Sequence, residues 1–495
     1  MVVFFEQLVK GMVLCMDGLA ILLVLACLAV FGFSKCYFST KKRSITINGK
    51  IAKTVGFFHP YANSCGGGEK VLWGAVQGLQ EIAEFQPIHC VIYTGDKESK
   101  EEILKKTKDI LHFNINPSFS LEIVHLSSRK WLEASKSLYP HFTMLLQSLA
   151  SMVVVIDGLK QFVPDIFFDT TGLAFTYPIV KMLTGATVLS YTHYPTISTD
   201  MLQRVREKRT TYNNDAFVSN STTVSTLKLM SQFSLFFIFS YYKLFSAVYG
   251  VVGRSADMVM VNGTWTYNHI ISQWRQPEKT SIVYPPCDTS DHRTLGLGEP
   301  RRRDILSIGQ FRPEKDHIKQ LYILRKLLDI DDQYSDVRLI LVGGCRNKED
   351  EERVAELKRI VVDLDLTNHA PYSQLQHYLA TSLIGLHTMW NEHFGICAAG
   401  LIVVAHNSAG PKEDIIVPAY PQTNGVYSLD TLHSGEKPVG FLAASVDEYV
   451  TALSFILSHE REMRDVSNNA REKSRIFSTE RFVKIMKDNI VQMLD

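Results

Sequence analysis

Short apolar runs and longer amphipathic segments alternate along the chain from residue 51 onwards. The runs are rich in β-branched and aromatic residues, whereas the segments between them repeat apolar residues at helical spacing. This alternation predicts βαβ units with a largely parallel sheet. The predicted strands of the first half are Thr54–His59, Cys90–Thr94, Ile166–Asp169, Val188–Thr192, Met258–Asn262 and Ser281–Tyr284, with a helix at Glu69–Ala83.

The pattern pauses once and then restarts. A polar, glycine-containing stretch from Tyr284 to Arg303 is typical of a domain linker. Beyond it we predict strands at Ile305–Ile308, Val337–Val342, Leu383–His387 and Leu401–Ala405, helices at His317–Leu328 and Lys348–Asp363, and amphipathic helices from Ser445. The prediction is therefore an α/β protein of two doubly wound domains facing a cleft, at 51–288 and 304–460, followed by helices at 461–495.

The N-terminus carries a long apolar run. Met12–Phe33 has 22 residues and one charge, Asp17, and about 20 apolar residues suffice to cross a bilayer as a helix. A retained transmembrane anchor is favoured over a cleaved signal peptide, because the run is long and bulky residues follow it. Four basic residues follow the run and only one precedes it: Lys35, Lys41, Lys42 and Arg43 after it, Lys10 before it. This asymmetry predicts that the domains lie in the cytosol.

A second apolar stretch, Phe233–Val252, contains Lys243 and the pair Tyr241 and Tyr242. It fits either a buried core helix or a helix that inserts shallowly into the same membrane, and its aromatic residues favour the second reading.

Charge and cysteine content narrow the classes of function. The chain of 495 residues has 52 basic and 51 acidic side chains and a net charge of +1, which gives no general field for binding nucleic acid. Its eight cysteines include no C-x-x-C pair, which argues against a disulfide framework or a zinc ribbon.

The first predicted strand leads into Gly66, Gly67 and Gly68, directly before a helix. Glycines in that position allow backbone N–H groups to approach an anion at a helix N-terminus. A tight strand-to-helix turn also uses glycine, and both readings remain open. His193 follows another predicted strand, where side chains face the ligand crevice of an open α/β sheet, although a structural role is equally compatible.

The second domain carries a further group of candidate residues. Arg312 and Lys315 lie between a strand and a helix, where basic side chains suit a diphosphate; a solvated charged turn is the alternative. Asn407, Ser408 and Gly410 lie at a predicted helix start that again suits phosphate. Glu392 follows a strand in the same crevice, where a carboxylate can accept hydrogen bonds from sugar hydroxyls or can cap a helix.

Taken together, these segments resemble the retaining glycosyltransferases of the GT-B class, and within them the α-1,2-mannosyltransferases that assemble dolichol-linked oligosaccharides. The resemblance runs in order from about residue 53 to 480. It is carried by FFHPYANSCGGGEKVLW (57–73), YTHYPTISTDML (191–202), MVMVNGTWTYNHI (258–270), IVYPPCD (282–288), GQFRPEKDH (309–317), GLHTMWNEHFGI (385–396) and AHNSAGPKEDI (405–415).

The resemblance implies a fold of two Rossmann-like domains with an N-terminal transmembrane helix, at the endoplasmic reticulum membrane. It implies GDP-mannose as donor, a dolichol-diphosphate oligosaccharide as acceptor, and addition of the fourth and fifth mannoses on the cytosolic face. His193 and Glu392 would act at the transferred mannose and Lys315 at the diphosphate, with Arg312 in place of the family arginine that falls on Gln310. We expect no metal or other cofactor, because no D-x-D-like pair follows a predicted strand. Other glycosyltransferases of the same pathway are a further expected partner class.

The chain departs from the family pattern at two places. The second acid of the paired-glutamate motif falls on Gly400, because the segment after Glu392 is shortened. A second short segment lies between Leu366 and Leu375. Two alternatives therefore stand beside the mannosyltransferase: another membrane-bound GT-B enzyme with a different nucleotide sugar, and a catalytically dead partner subunit.

Overall fold

The computed structural model describes residues 29–133, 138–139, 142–197, 228–289, 301–345, 348–366, 375–392, 400–421, 427–430 and 435–494. The chain divides into two compact units. The first comprises residues 1–191, 247–259 and 487–495, and the second comprises residues 192–246 and 260–486. The predicted domain boundaries at 51–288 and 304–460 stay a prediction.

Among the described residues, the first sheet has seven strands in the order β5-β4-β3-β6-β7-β8-β9. Its strands are β3 (Lys53–Phe58), β4 (Ile88–Thr94), β5 (Leu121–His125), β6 (Ile166–Asp169), β7 (Thr187–Thr192), β8 (Met258–Val261) and β9 (Thr280–Ile282); the short hairpin β1 (Thr46–Ile47) and β2 (Lys50–Ile51) precedes them. The pairs from β5 to β7 are all parallel. Strand β4 is buried at every position, which is the pattern of a parallel strand covered on both faces.

Helices connect these strands. After a helical segment at 29–41 (α1), they are α2 (Gly67–Ala83), α3 (Lys100–Leu111), α4 (Thr143–Gln161), α5 (Thr176–Thr184), α6 (Lys228–Gly253) and α7 (Thr264–Trp274). Helix α3 begins with a capping box in which Ser99 and Glu102 satisfy each other's backbone amides.

In the part of the chain that the structure describes, the second sheet has five parallel strands in the order β11-β10-β12-β13-β16. They are β10 (Arg302–Ile308), β11 (Arg338–Val342), β12 (Ser382–His387), β13 (Ile402–His406) and β16 (Gly440–Ala443), with a separate hairpin of β14 (Tyr420–Pro421) and β15 (Tyr427–Ser428). The helices in this part of the chain are α8 (His317–Leu328), α9 (Lys348–Asp363), α10 (Leu375–Thr381), α11 (Val446–Ser458), α12 (Met463–Lys473) and α13 (Thr479–Leu494), and the last residues of α13 belong to the first unit. Its core is apolar and includes Leu327, Ile384, Val404, Phe441 and Ile456.

The predicted membrane segments have different outcomes. Residues 12–28 of the predicted anchor lie outside the described residues, and residues 29–33 are helical. Helix α6 contains the predicted stretch Phe233–Val252; Phe245 and Tyr249 are buried in it, whereas Leu244 and Val251 are exposed. The described part of α6 thus has buried and exposed side chains, and both the core helix and the membrane insertion stay predictions. Of the described helices, α4 alone is long and apolar enough to cross a membrane by length and composition.

Candidate active site

The glycine triplet of the first unit lies where a strand meets a helix, as predicted. Gly66 is the N-cap of α2, and its amide donates to Glu69 Oε2 at 2.6 Å. Glu69 Oε1 lies 3.2 Å from His59 Nε2, and His59 Nδ1 is hydrogen-bonded to Thr170 Oγ1 at 2.8 Å. The Gly66 amide is thus already satisfied by a carboxylate, which leaves the amides of the next residues in the first helical turn as the anion donors of this loop.

The Glu69–His59 pair was not predicted, although a glutamate three residues after an N-cap is a recognisable capping signal. Burial alone would raise the pKa of the Glu69 carboxyl. The hydrogen bond with His59 and the Gly66 amide outweigh it and lower that pKa. Glu69 is therefore a fixed anion beneath the loop, and it holds Gly66 in place.

His193 lies one residue beyond β7 and is partly exposed. The next residue, Tyr194, stacks on Trp265 with ring centroids 5.9 Å apart. The position past the carboxyl end of a parallel strand is the predicted one, and the role of His193 at a donor sugar stays a prediction.

In the second unit, the structure brings Lys315 and Glu392 together. Lys315 Nζ lies 2.5 Å from Glu392 Oε2, and His387 Nε2 lies 3.3 Å from the same oxygen. Burial would raise the pKa of the Glu392 carboxyl, but the His387 hydrogen bond and the Lys315 charge lower it to about 2. Glu392 is therefore ionised at neutral pH. His387 ends β12 and was not predicted as a site residue, although its partner Glu392 is only five residues further along the chain.

Buried polar groups fix the backbone around this pair. The Thr388 hydroxyl donates to the Lys315 carbonyl at 2.9 Å and accepts from Gln320 Nε2 at 2.8 Å. The Tyr449 hydroxyl donates to the His387 carbonyl at 2.9 Å. The Thr388 hydroxyl thus joins the Lys315 turn to the loop after β12, and side chains from α8 and α11 bond to the same loop and strand end.

The predicted phosphate loop after β13 joins the same group. The Gly410 amide donates to the Glu392 carbonyl, and the Asn391 amide donates to Ser408 Oγ, both at 2.9 Å. Asn407 is exposed. The helix start predicted here is a five-residue π-helix at Pro411–Ile415, so the Gly410 amide serves loop-to-loop contact.

Arg312 lies on the same turn as Lys315, as predicted. It precedes the 3₁₀ helix Pro313–Lys315, and its Nη1 lies 3.5 Å from Glu314 Oε1. That distance is at the limit of a hydrogen bond, so Glu314 holds the Arg312 guanidinium only weakly. Gln310 is exposed.

A cavity of about 290 Å³ opens beside these residues. Its polar lining comes from Lys315, His387 and Glu392, and the remaining lining is apolar, including Leu306, Val403, Ala405 and Ile416. A concave site with a few convergent polar groups is the usual form of a small-molecule site.

Position 400 lies at the amino ends of the strands of this sheet. Gly400 precedes β13 with φ +79°, and a Cβ there would lie 2.6 Å from Arg471 Nε. Gly400 lines a second cavity with Arg301 and Ser467. Leu401 lines the cavity beside Glu392, whereas Gly400 lines the second cavity, so we expect an acid at position 400 to face Arg471 rather than Lys315. The shortened segments fall at 367–374 and 393–399, outside the described residues.

Solved structures with this architecture define the class. The chain aligns with the Anabaena protein Alr3699/HepE in complex with UDP at a TM-score of 0.53 and 14% identity, covering 89% of this chain and 99% of that one. It aligns with the N-terminal domain of Candida albicans trehalose-6-phosphate phosphatase at a TM-score of 0.57 and 11% identity, covering 89% and 98%. With two parallel Rossmann-like sheets, the chain has the GT-B glycosyltransferase fold, as predicted.

Sequence comparison gives the family. Residues 52–274 match the description "ALG11 mannosyltransferase N-terminus", and residues 296–473 match "Glycosyl transferases group 1". Two similar relatives are both named GDP-Man:Man(3)GlcNAc(2)-PP-Dol alpha-1,2-mannosyltransferase. The Xenopus laevis protein is 44% identical over 89% of this chain and 88% of its own length, and the Homo sapiens protein is 39% identical over 97% and 94%. The chain therefore belongs to this family of mannosyltransferases, as the resemblance implied.

Proposed function

We propose that this protein transfers α-1,2-linked mannose from GDP-mannose to a dolichol-diphosphate-linked oligosaccharide, adding its fourth and fifth mannoses. The family membership supports this reaction, and one geometric observation supports the location of the donor site. A lysine, a carboxylate and a loop rich in small residues meet at the carboxyl ends of the second sheet. That edge is where ligands bind in open α/β sheets.

The donor diphosphate binds at the Lys315 turn. Lys315 and Arg312 neutralise the charge that grows on GDP as the glycosidic bond breaks, and electrostatic stabilisation of this kind is commonly the largest catalytic contribution. The Ser408 hydroxyl and the Asn407 side chain add hydrogen-bonding groups at the adjoining loop. The site works without a metal, because these cations and dipoles supply the neutralisation.

Glu392 binds the mannose. Donor phosphate draws Lys315 away from the carboxylate, and the ionised carboxylate then accepts hydrogen bonds from the sugar hydroxyls. His193 hydrogen-bonds the same sugar beside the reacting carbon.

Transfer proceeds with retention at the anomeric carbon. The acceptor 2-hydroxyl attacks from the face that GDP leaves, and the departing phosphate takes the hydroxyl proton. The new bond joins the acceptor oxygen to the anomeric carbon, and no protein nucleophile is required. The protein contributes alignment of the two substrates, which alone can supply several kcal/mol, on the order of 7 to 11 in well-oriented reactions.

The enzyme acts at the endoplasmic reticulum membrane, with the catalytic units in the cytosol. The basic residues after the apolar run at 12–33 support that orientation. The Gly67 and Gly68 amides of the first unit are proposed to bind a substrate diphosphate.

The second candidate function is that of a catalytically dead partner of another glycosyltransferase. It is favoured because the position of the family's second acid holds a glycine here and lies at the amino ends of the strands. A chimaera tests it. Replacing 367–374 and 393–399 with the corresponding segments of the Xenopus laevis relative leaves transfer unchanged if the chain is active, and creates transfer if the chain is a dead partner.

Calorimetric titration with GDP and with UDP tests the donor site. We expect GDP to bind the full chain more tightly than UDP. Lys315→Met should weaken GDP binding about 10- to 100-fold, which is the loss of affinity expected when one charge-assisted hydrogen bond is removed. Lys326→Met is the matched control, because Lys326 forms an ion pair with Asp447 at an exposed position. Equal affinity for UDP indicates a different nucleotide sugar, and equal effects of the two variants contradict the placement at Lys315.

A further inference from the structure

Helix α4 presents an apolar stripe to solvent in the first unit. The exposed fractions are 62% at Phe142, directly before the helix, 39% at Leu146, 45% at Leu149 and 57% at Val153. Residues at this spacing lie on one face of an α-helix. The opposite face is buried and includes Ser148, Ser151, Val154, Val155, Gly158 and Leu159.

The 3₁₀ helix Arg129–Leu132 extends this stripe. Gln147 of α4 donates to the Leu132 carbonyl at 2.5 Å, which fixes the two helices together. Trp131 is 45% exposed, and Lys130 Nζ lies 5.9 Å from the centroid of its ring. An exposed tryptophan beside a lysine is the combination found where proteins meet the headgroup layer of a bilayer.

The same 3₁₀ helix leads to the loop of the glycine triplet. The Arg129 guanidinium lies over the Tyr61 ring at 4.9 Å and pairs with Asp96 at 3.2 Å. Gly95 permits this approach, because a Cβ there would lie 2.1 Å from Arg129 Cδ. Tyr61 and Gly66 belong to one segment after β3, so the apolar stripe and the candidate anion loop are connected through Arg129.

We propose that the stripe, made of Phe142, Leu146, Leu149 and Val153 with Trp131, rests on the surface of a phospholipid bilayer. The proposal depends on the function proposed above, in which the acceptor has a membrane-embedded lipid tail and a diphosphate at headgroup depth. The stripe supplies apolar contact, while Lys130 lies at its end, where lipid phosphates are found. Glu133 is exposed beside Trp131 and offsets one positive charge, so apolar burial dominates and zwitterionic lipid suffices.

This contact adds to the predicted anchor at 12–33, which tethers the chain without orienting it. Two separate contacts with the bilayer fix the tilt of the first unit and hold the Gly67 and Gly68 amides at the depth of the acceptor diphosphate. The expected consequence is a lower KM for lipid acceptors in membranes, with kcat unchanged.

Tryptophan fluorescence of the full chain in phosphatidylcholine vesicles tests the contact, with brominated acyl chains as quencher. The predicted anchor contains no tryptophan, and Trp73 and Trp274 are fully buried. We expect bromolipid to quench the wild-type protein and Trp131→Phe to remove at least about half of the quenched signal. Equal quenched signal in the two proteins overturns the proposal.

Activity provides a second test with a matched control. Leu149→Glu combined with Val153→Glu should raise the KM for a lipid acceptor in vesicles about tenfold, since charged residues oppose insertion of an amphipathic helix, and should leave kcat in detergent unchanged. Val362→Glu is the control, because Val362 is an exposed valine on α9. An unchanged KM overturns the lipid contact while leaving the proposed function intact, whereas absence of transfer by the wild-type chain contradicts the function itself.

If the double variant does not fold, maleimide labelling of Val153→Cys provides an independent test. The labelled peptide is identified by mass spectrometry. We expect labelling in detergent-free solution of delipidated protein and protection in vesicles. Labelling in both conditions overturns the proposal. Protection in both means that a second copy or another part of this chain covers the stripe, and this also overturns it.

Discussion

The Lys315 ammonium lies 2.5 Å from Glu392 Oε2, although 76 residues separate them along the chain. Both groups are proposed to contact the donor, Lys315 through the diphosphate and Glu392 through the sugar. In the ligand-free protein each therefore neutralises the other, and donor binding exchanges one ion pair for two separate contacts. The pair keeps the partly buried carboxylate ionised and the loop after β12 in place until substrate arrives.

Replacing the carboxylate separates these roles. Glu392→Gln should tighten GDP binding, by about two- to tenfold, because Lys315 no longer has an internal partner to leave. Mannosyl transfer should fall by at least about 100-fold, since the charge at the sugar is lost. Calorimetry and a transfer assay measure the two effects. Weaker GDP binding in Glu392→Gln would show that the ion pair supports the phosphate site rather than competing with it.

A second buried carboxylate anchors the phosphate loop. Asp414 accepts from the Thr264 amide and hydroxyl at 2.9 and 2.6 Å and from the Tyr284 hydroxyl at 2.9 Å. Asp414→Asn should lower the free energy of unfolding by about 1 to 3 kcal/mol and weaken GDP binding, because Asp414 lies within the π-helix that directly follows Gly410. Urea denaturation and GDP titration measure both. Asp447→Asn, at an exposed ion pair, should change stability by less than about 1 kcal/mol; an equal loss in the two variants would contradict the anchoring role.

The pH dependence of stability follows from His317. Burial, helped by the positive charge of Lys315, lowers the pKa of the His317 imidazole to about 4. Between about pH 6.5 and 4 the unfolded chain therefore binds a proton that the folded chain does not, and stability falls as pH falls. The loss approaches about 3 kcal/mol at pH 4. His317→Gln should flatten this part of the curve in chemical denaturation at several pH values, and an unchanged slope would contradict the assignment.

The glycine at position 400 gives a prediction about the family motif. Gly400→Glu should not increase transfer, because the side chain would lie at the amino end of β13 against Arg471. It should instead destabilise the protein by about 1 to 3 kcal/mol, since the backbone there has positive φ and the space is occupied. Thermal unfolding and the transfer assay measure the two effects. A gain of transfer would mean that position 400 reaches the donor.

Apolar patterning predicted the strands that are buried on both faces. Thr54–His59 and Leu383–His387 fall within one residue of β3 and β12, because parallel strands appear in the sequence as unbroken apolar runs. Strand β5 was missed, since Glu122 and His125 interrupt its apolar pattern. Helix α4 was missed for the opposite reason, since apolar residues on both its buried and exposed faces hide the helical period.

The site was predictable in part. Lys315, Glu392, Ser408 and Gly410 each follow a predicted strand, and parallel topology brings such positions to one edge of a sheet. The capping contact of Glu69 with the Gly66 amide is local and has a recognisable pattern, so the sequence could have given it. The other partners were not predictable. The contact of Thr388 with Lys315 joins distant segments, and the contact of His387 with Glu392 depends on how the loop after β12 folds. Such contacts depend on side-chain packing, which strand and helix patterns do not encode.

Transfer of label from GDP-mannose to a lipid-linked acceptor with three mannoses tests the central claim most directly. The full chain in vesicles should yield lipid-linked products one and two mannoses longer, and an α-1,2-specific mannosidase should release the label. Labelled products from UDP-sugars, mannose in another linkage, or no product from either this chain or the chimaera would contradict it.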